Sequence, residues 1–123
     1  MAKRSAGDPR TLIAELLENL RTAPAHLPPA LRQAIQARAG AAAGFAADGP
    51  AEIPADLHEL IDKIAERATE VTDEDFAALA ARGYTLDQQF EIVLSASLGA
   101  SHARLRRGLD ALDLALAQTN PEA

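Results

Sequence analysis

Alanine supplies 29 of the 59 apolar residues in this chain, and that proportion constrains the fold more than any other feature of the sequence. A methyl side chain removes little apolar area from water when it is buried, so alanine builds a thin core. Only 30 larger apolar side chains remain to thicken it. Two outcomes follow. Either the elements pack very closely, or the protomer completes its core against another subunit. With 123 residues the chain has the size of one domain. It holds no cysteine, which removes disulfides, thiolate nucleophiles, thiolate metal ligands and redox pairs from its chemistry.

Charge is spread unevenly. Residues 1–50 carry six basic and four acidic side chains, residues 51–97 three and eleven, and residues 98–123 three and three. An acidic middle repels phosphate backbones, so nucleic acid is not an expected partner. Arg104, Arg106 and Arg107 form the one basic cluster, and Asp110 and Asp113 offset it at helical spacing. The uncharged run 92–101 is too short to span a bilayer. Lys3, Arg4 and Arg10 are followed by no apolar segment or cleavage site. A soluble, cytoplasmic protein with no membrane contact is expected.

Helix signals recur along the chain and strand signals do not. Asp8 before Pro9 reads as an N-cap with proline at the first helical position. Leu12, Ile13, Leu16, Leu17 and Leu20 then mark one face at helical period, ending near Arg21. Pro24, Pro28 and Pro29 interrupt the chain before a second helix from Pro29 to about Ala39, striped by Leu31 and Ile35. Residues 40–55, with Gly40, Gly44, Gly49, Pro50 and Pro54 among alanines, read as a surface linker anchored by Phe45 and Ile53.

A third helix, capped by Asp56, is expected to reach Thr69 or Glu70 and to bury Leu57, Leu60, Ile61, Ile64 and Ala68. Thr72 caps a fourth, whose first turn holds Asp73, Glu74 and Asp75, where negative charge suits the helix dipole. It points Phe76, Leu79 and Ala80 inward, and Gly83 closes it in the left-handed position. Thr85 and Gln88 make a capping box that opens a long helix to about Ala117. Phe90, Val93, Leu94, Leu98, Leu105, Leu109, Leu112 and Leu116 form its stripe. Gly99 and Gly108 each cost that helix about 1 kcal/mol relative to alanine, which points to a bend or a close helix contact. Asn120-Pro121 ends it. The fold class is all-α: a single-domain helical bundle of about five helices in antiparallel hairpins. N-terminal helices occupy residues 1–39, the linker 40–55 and a helical core 56–118.

The core contains Asp62-Lys63-Ile64-Ala65, then Val71-Thr72-Asp73-Glu74-Asp75-Phe76, and an Ala81-Arg82-Gly83-Tyr84-Thr85 turn. Leu86-Asp87-Gln88-Gln89-Phe90 leads from there to Ser95-Ala96-Ser97-Leu98-Gly99-Ala100. This stretch resembles the core hairpin of the alkylhydroperoxidase D-like, or carboxymuconolactone decarboxylase-like, family, over about half of the chain (residues 56–117). The resemblance implies that hairpin followed by a long C-terminal helix. Active peroxidases of the family carry Glu-x11-Cys-x2-Cys-x3-His, whose cysteines exchange thiol for disulfide while the glutamate and histidine relay protons. Anchored on Gly83, those positions fall on Asp56, Ala68, Val71 and Asp75, and none matches. Alanine and valine form neither sulfenate nor disulfide, so the resemblance carries a fold without the peroxidase chemistry.

The decarboxylase branch needs no redox pair. It needs a general acid or base and a cation for the substrate carboxylate. Glu91 and His102 are the candidate catalytic residues, and Arg104 and Arg107 the candidates for binding a small carboxylate, with His58 and Tyr84 behind them. Eleven positions at about 100° each return Glu91 and His102 to one helix face, three turns apart. Each has a plainer reading. His102 suits a hydrogen-bonded histidine at a packing interface. Glu91, beside Phe90 and Ile92, suits a buried ion pair with an arginine. His58 reads as exposed and His26 as a turn residue. The acidic run 73–75 suits a solvated first turn with no histidine at ligand spacing. Ser95 and Ser97 lack a triad around them. No cofactor and no metal is expected.

The leading expectation is a homo-oligomer, joined through the leucine-striped C-terminal helix, with a binding or accessory role. The alternatives are a lyase or isomerase acting on a small carboxylate, and a structural adaptor with an exposed apolar patch.

Overall fold

The computed structural model describes residues 8–44 and 52–119. Phe45, Gly49, Pro50, the Asn120-Pro121 stop and the basic Lys3 and Arg4 lie outside the described residues. The described residues form an all-α bundle of five helices: α1 (Pro9–Thr22), α2 (Pro29–Ala42), α3 (His58–Glu66), α4 (Asp73–Ala81) and α5 (Leu86–Thr119). Short 3-10 turns at Ala55–Leu57 and Ala68–Glu70 flank α3. None of these helices is long and apolar enough to cross a membrane.

Most helix ends follow local chemistry. The Asp8 carboxylate accepts the Arg10 N–H at 3.1 Å and the Thr11 hydroxyl at 2.8 Å, which starts α1. The Thr72 N–H donates to the Asp75 carboxylate at 2.9 Å, and the Thr72 side chain accepts the Asp75 backbone N–H at the head of α4. Gly83 follows the C-cap of α4 with φ +97°, a left-handed conformation that disfavours any Cβ. At α5 the Thr85 N–H donates to Gln88 at 2.9 Å, and the Gln88 N–H donates to Thr85 Oγ1 at 3.1 Å.

The third helix departs from expectation at both ends. Asp56 caps nothing and instead pairs with Arg82 at 3.3 Å, so the chain enters α3 through the turn after Pro54. Arg67, at φ −141° and ψ 54°, ends α3 early and leaves Ala68 exposed.

The principal pair is α2 with α5, and it runs parallel rather than as a hairpin. Leu27 meets Glu91 near one end, Gly40 faces Gly99 midway, and Gly44 meets Arg107 at the other. The α3–α4 pair is antiparallel, with Lys63 against Asp75 at 3.0 Å and Asp56 against Arg82. α1 also runs opposite to α5: Leu20 lies beside Leu94 and Leu98, whereas Arg10 reaches Asp113. The α3–α4 hairpin returns the chain so that α5 starts at the same end as α2.

α5 presents its small residues to the core. Ile92, Ala96, Ala100 and Ala103 are buried, and Ile35 and Ala39 of α2 are buried with them. A Cβ on Gly99 would lie 2.2 Å from the Gln36 carbonyl oxygen, so α2 packs directly on the α5 backbone. The predicted leucine stripe is not this face. Leu105, Leu112 and Leu116 are 39%, 51% and 57% exposed, and Phe90 is 63% exposed. Large side chains mark the wrong side because close approach selects small ones. α1 is corrected likewise: Leu17 is its one buried residue, and Leu12 and Leu16 face solvent. Leu27, Leu57, Leu60, Ile61 and Leu79 complete the core. From Arg104 to Thr119 no residue of α5 is buried.

Candidate functional site

Little apolar burial draws α1 onto the bundle, because Leu17 alone is buried along it. Its first turn is tied to the far end of α5 by Arg10 and Asp113, 3.1 Å apart and both more than half exposed. Such a pair contributes under about 1 kcal/mol. α1 therefore stands off from α5, and a groove of about 370 Å³ opens between them. Ile13 and Ala14 form one wall, Leu105 and Leu109 the other, and His102, Arg106, Arg10 and Asp110 supply its polar groups. Small-molecule pockets begin at about this size and have this balance of apolar wall and few polar groups.

His102 is half-buried at the inner end of the groove. Burial, then the Arg106 and Arg21 guanidiniums, hold its pKa below the ordinary imidazole value. Burial and the two nearby cations thus all favour the neutral ring. Arg21 donates to Glu18 at 3.1 Å, and its Nε is buried without a partner among the described residues.

Glu91 belongs to a different place. Its carboxylate accepts the backbone N–H groups of His26 and Leu27, both at 2.8 Å. Arg32, also buried, donates to the carbonyls of Leu20, Ala23 and Leu27. Together the two side chains satisfy the turn between α1 and α2. The expected arginine partner for Glu91 is thus replaced by two backbone amides, on which its negative charge is better directed. A small cleft of about 130 Å³ adjoins Glu91, Arg32, Gln36 and Ser95 and does not reach His102. Arg104 donates to the Ala65 carbonyl near the end of α3, and Arg107 to the Gly44 carbonyl just beyond α2, at 3.4 Å.

The four predicted site residues therefore serve four separate places. Among the described residues, the groove at His102 and the cleft at Glu91 have separate linings, and Arg104 and Arg107 line neither. The cations that do neighbour His102 are Arg106 and Arg21, which sequence reasoning passed over as site residues. Arg106 was within reach of it, since positions four apart share a helix face. Arg21 required the α1–α5 pairing.

The remaining candidates lie away from the groove. His58 is half-buried with Nε2 3.0 Å from the Ile53 carbonyl oxygen, and exposed His26 lies 3.6 Å from Asp87. Burial and the nearby Asp56 carboxylate raise the Tyr84 phenol. The Thr72 N–H and then the Lys63 ammonium hold Asp75 below the usual carboxylate range, and Asp75 in turn raises Lys63. No group of three or more His, Asp or Glu among the described residues is arranged to hold a metal ion. No family model, curated protein or solved structure matches the chain.

Proposed function

We propose that this chain is a cysteine-free protein of the alkylhydroperoxidase D-like type, without thiol peroxidase chemistry, that assembles with copies of itself as a cytoplasmic binding or accessory protein. The observation that carries this is the apolar side of the C-terminal half of α5, where Leu105, Leu112 and Leu116 are exposed. Leu98, Leu105, Leu109, Leu112 and Leu116 recur at intervals of seven, four, three and four residues, with His102 in the one vacant position. That is the spacing of helices that pack along a shared seam. The core takes Ile92, Ala96, Ala100 and Ala103 instead; Leu105, Leu112 and Leu116 of the stripe stay exposed, while Leu98 and Leu109 are half-buried beside α1. Leu12 and Leu16 on α1 enlarge the exposed apolar surface.

A second copy is the natural occupant, because two-fold symmetry sets such a stripe against itself without needing another sequence. The turn at Gly83 and the Thr85–Gln88 box accord with the hairpin that the family resemblance implies. An acid–base lyase draws no such support, since Glu91 is committed to a turn and Arg104 and Arg107 to carbonyls. Sedimentation of the unmodified chain and of a Leu112→Glu, Leu116→Glu variant tests the proposal. The expected mass is a multiple of 12.9 kDa that falls to a single chain in the variant, with helical content unchanged. An unmodified chain that sediments as a monomer throughout the micromolar range overturns it.

A further inference from the structure

We propose that the groove between α1 and α5 binds a free medium-chain carboxylate, its head beside His102 and Arg106 and its tail along Ile13, Ala14, Leu105 and Leu109. The volume, about 370 Å³, lies at the lower end of the range of small-molecule pockets, which suits a single eight-carbon chain. The length agrees. His102 to Asp110 spans eight residues, about 12 Å of helix, which matches such a chain extended.

Charge selects the head group. Arg106 lies at the His102 end of the groove, whereas Arg10, shared with Asp113, and the Asp110 carboxylate lie at the other end. Arg21, on α1, adds a second cation beside His102, offset by Glu18. Arg106 already has bonding of its own; a guanidinium with five N–H donors serves a further carboxylate without giving that up. With its head at the His102 end, octylammonium would meet these cations unfavourably. Octanol would gain the apolar walls alone.

A carboxylate beside His102 also favours its imidazolium, because a negative neighbour stabilises the charged form. The charged groups near the ring are Arg21 from α1, itself paired with Glu18, and Arg106 from α5, whereas Arg10 and Asp110 lie at the other end of the groove. Binding therefore takes up a proton and tightens on mild acidification. Leu105 and Leu109 belong to both the groove and the proposed seam; ligand affinity reports the groove and the particle mass in the same samples reports the seam, which separates the two.

Calorimetry on the full chain with octanoate, octanol, octylamine and acetate tests it. Octanoate is expected to bind saturably, about tenfold tighter than octanol as charge-assisted hydrogen bonds imply, and tighter near pH 6 than near pH 7.5. Octylamine and acetate are expected not to bind. Ala14→Trp, which fills the groove from exposed α1, abolishes binding with the circular dichroism unchanged. Arg106→Gln brings octanoate down to the affinity of octanol and leaves octanol alone. Equal affinity for octanol and octanoate, undiminished binding by Ala14→Trp, or no octanoate binding at millimolar concentration overturns the proposal.

Discussion

Adding one methyl group at Gly99 should have the opposite effect from adding it at Gly108, nine residues along the same helix. In an open helix, glycine to alanine stabilises by about 1 kcal/mol. Gly108 has nothing within 4 Å of a built Cβ, so Gly108→Ala should realise most of that gain. At Gly99 the new carbon would lie 2.2 Å from the Gln36 carbonyl oxygen, 2.8 Å from its Cα and 2.9 Å from its carbonyl carbon. These are backbone atoms of α2 and cannot rotate away. Restoring an ordinary contact of 3.4 Å requires moving the helices apart by 3.4 − 2.2, or 1.2 Å. A gap of that order forfeits a quarter to a half of each contact between Ile35 or Ala39 and Ile92, Ala96 or Ala100. The overpacking penalty therefore falls at or above about 3 kcal/mol, the upper end of its usual range. Less the helical gain, Gly99→Ala should destabilise by about 2 kcal/mol. With a urea slope of about 1.5 kcal/mol/M, the midpoint falls by more than 1 M, while Gly108→Ala raises it. Urea unfolding followed by circular dichroism at fixed protein concentration reads both. A Gly99→Ala variant as stable as the parent, with an unchanged slope, would refute the close packing of α2 on α5.

Three further outcomes follow from the side chains described above. Glu91→Gln leaves one backbone N–H of the His26–Leu27 pair facing an amide donor and should cost about 2–3 kcal/mol, with faster hydrogen exchange at Leu27. A stable variant with unchanged exchange would show that Glu91 does not hold the turn. The depressed pKa of His102 means that the unfolded chain takes up the proton first as pH falls below about 6.5. Its contribution is thus intact above that value and is lost as pH falls from there toward the folded pKa, and His102→Gln should flatten that part of the stability curve. Asp75 is depressed as a carboxylate, so its contribution is present above about pH 4 and is lost as pH falls through its lower folded value. Acid titration of Asp75→Asn should lack that limb; an unaltered acid profile would contradict the assignment.

The ends of the helices were legible wherever their chemistry is local. Asp8, Thr72, Gly83 and Thr85 act on residues within a few positions, so their roles can be read in one dimension. Asp56 has the look of a cap and serves Arg82 instead, a partner chosen by the α3–α4 pairing. The buried face of α5 was misread for a related reason. Periodicity identifies two faces on that helix, one of leucines and one of alanine, glycine and isoleucine, and only the position of α2 decides which is covered. Glu91 was correctly suspected of burial, yet its partners lie on a proline-rich turn whose unpaired N–H groups were the signal to follow. His102 stands out in the sequence as a polar residue in an apolar stripe. Its true neighbours include Arg21 on a helix more than eighty residues earlier in the chain.

The leucine seam as a contact between copies is the claim on which the functional reading turns, and the chain offers a clean probe of it. With no native cysteine, Ala115→Cys gives one labelling position on the exposed end of α5. Dipolar spectroscopy on the singly spin-labelled protein then reports distances between copies only. A resolved distance that disappears when Leu112 and Leu116 are replaced by glutamate is the predicted result. A featureless background in the parent protein at high micromolar concentration would contradict the seam.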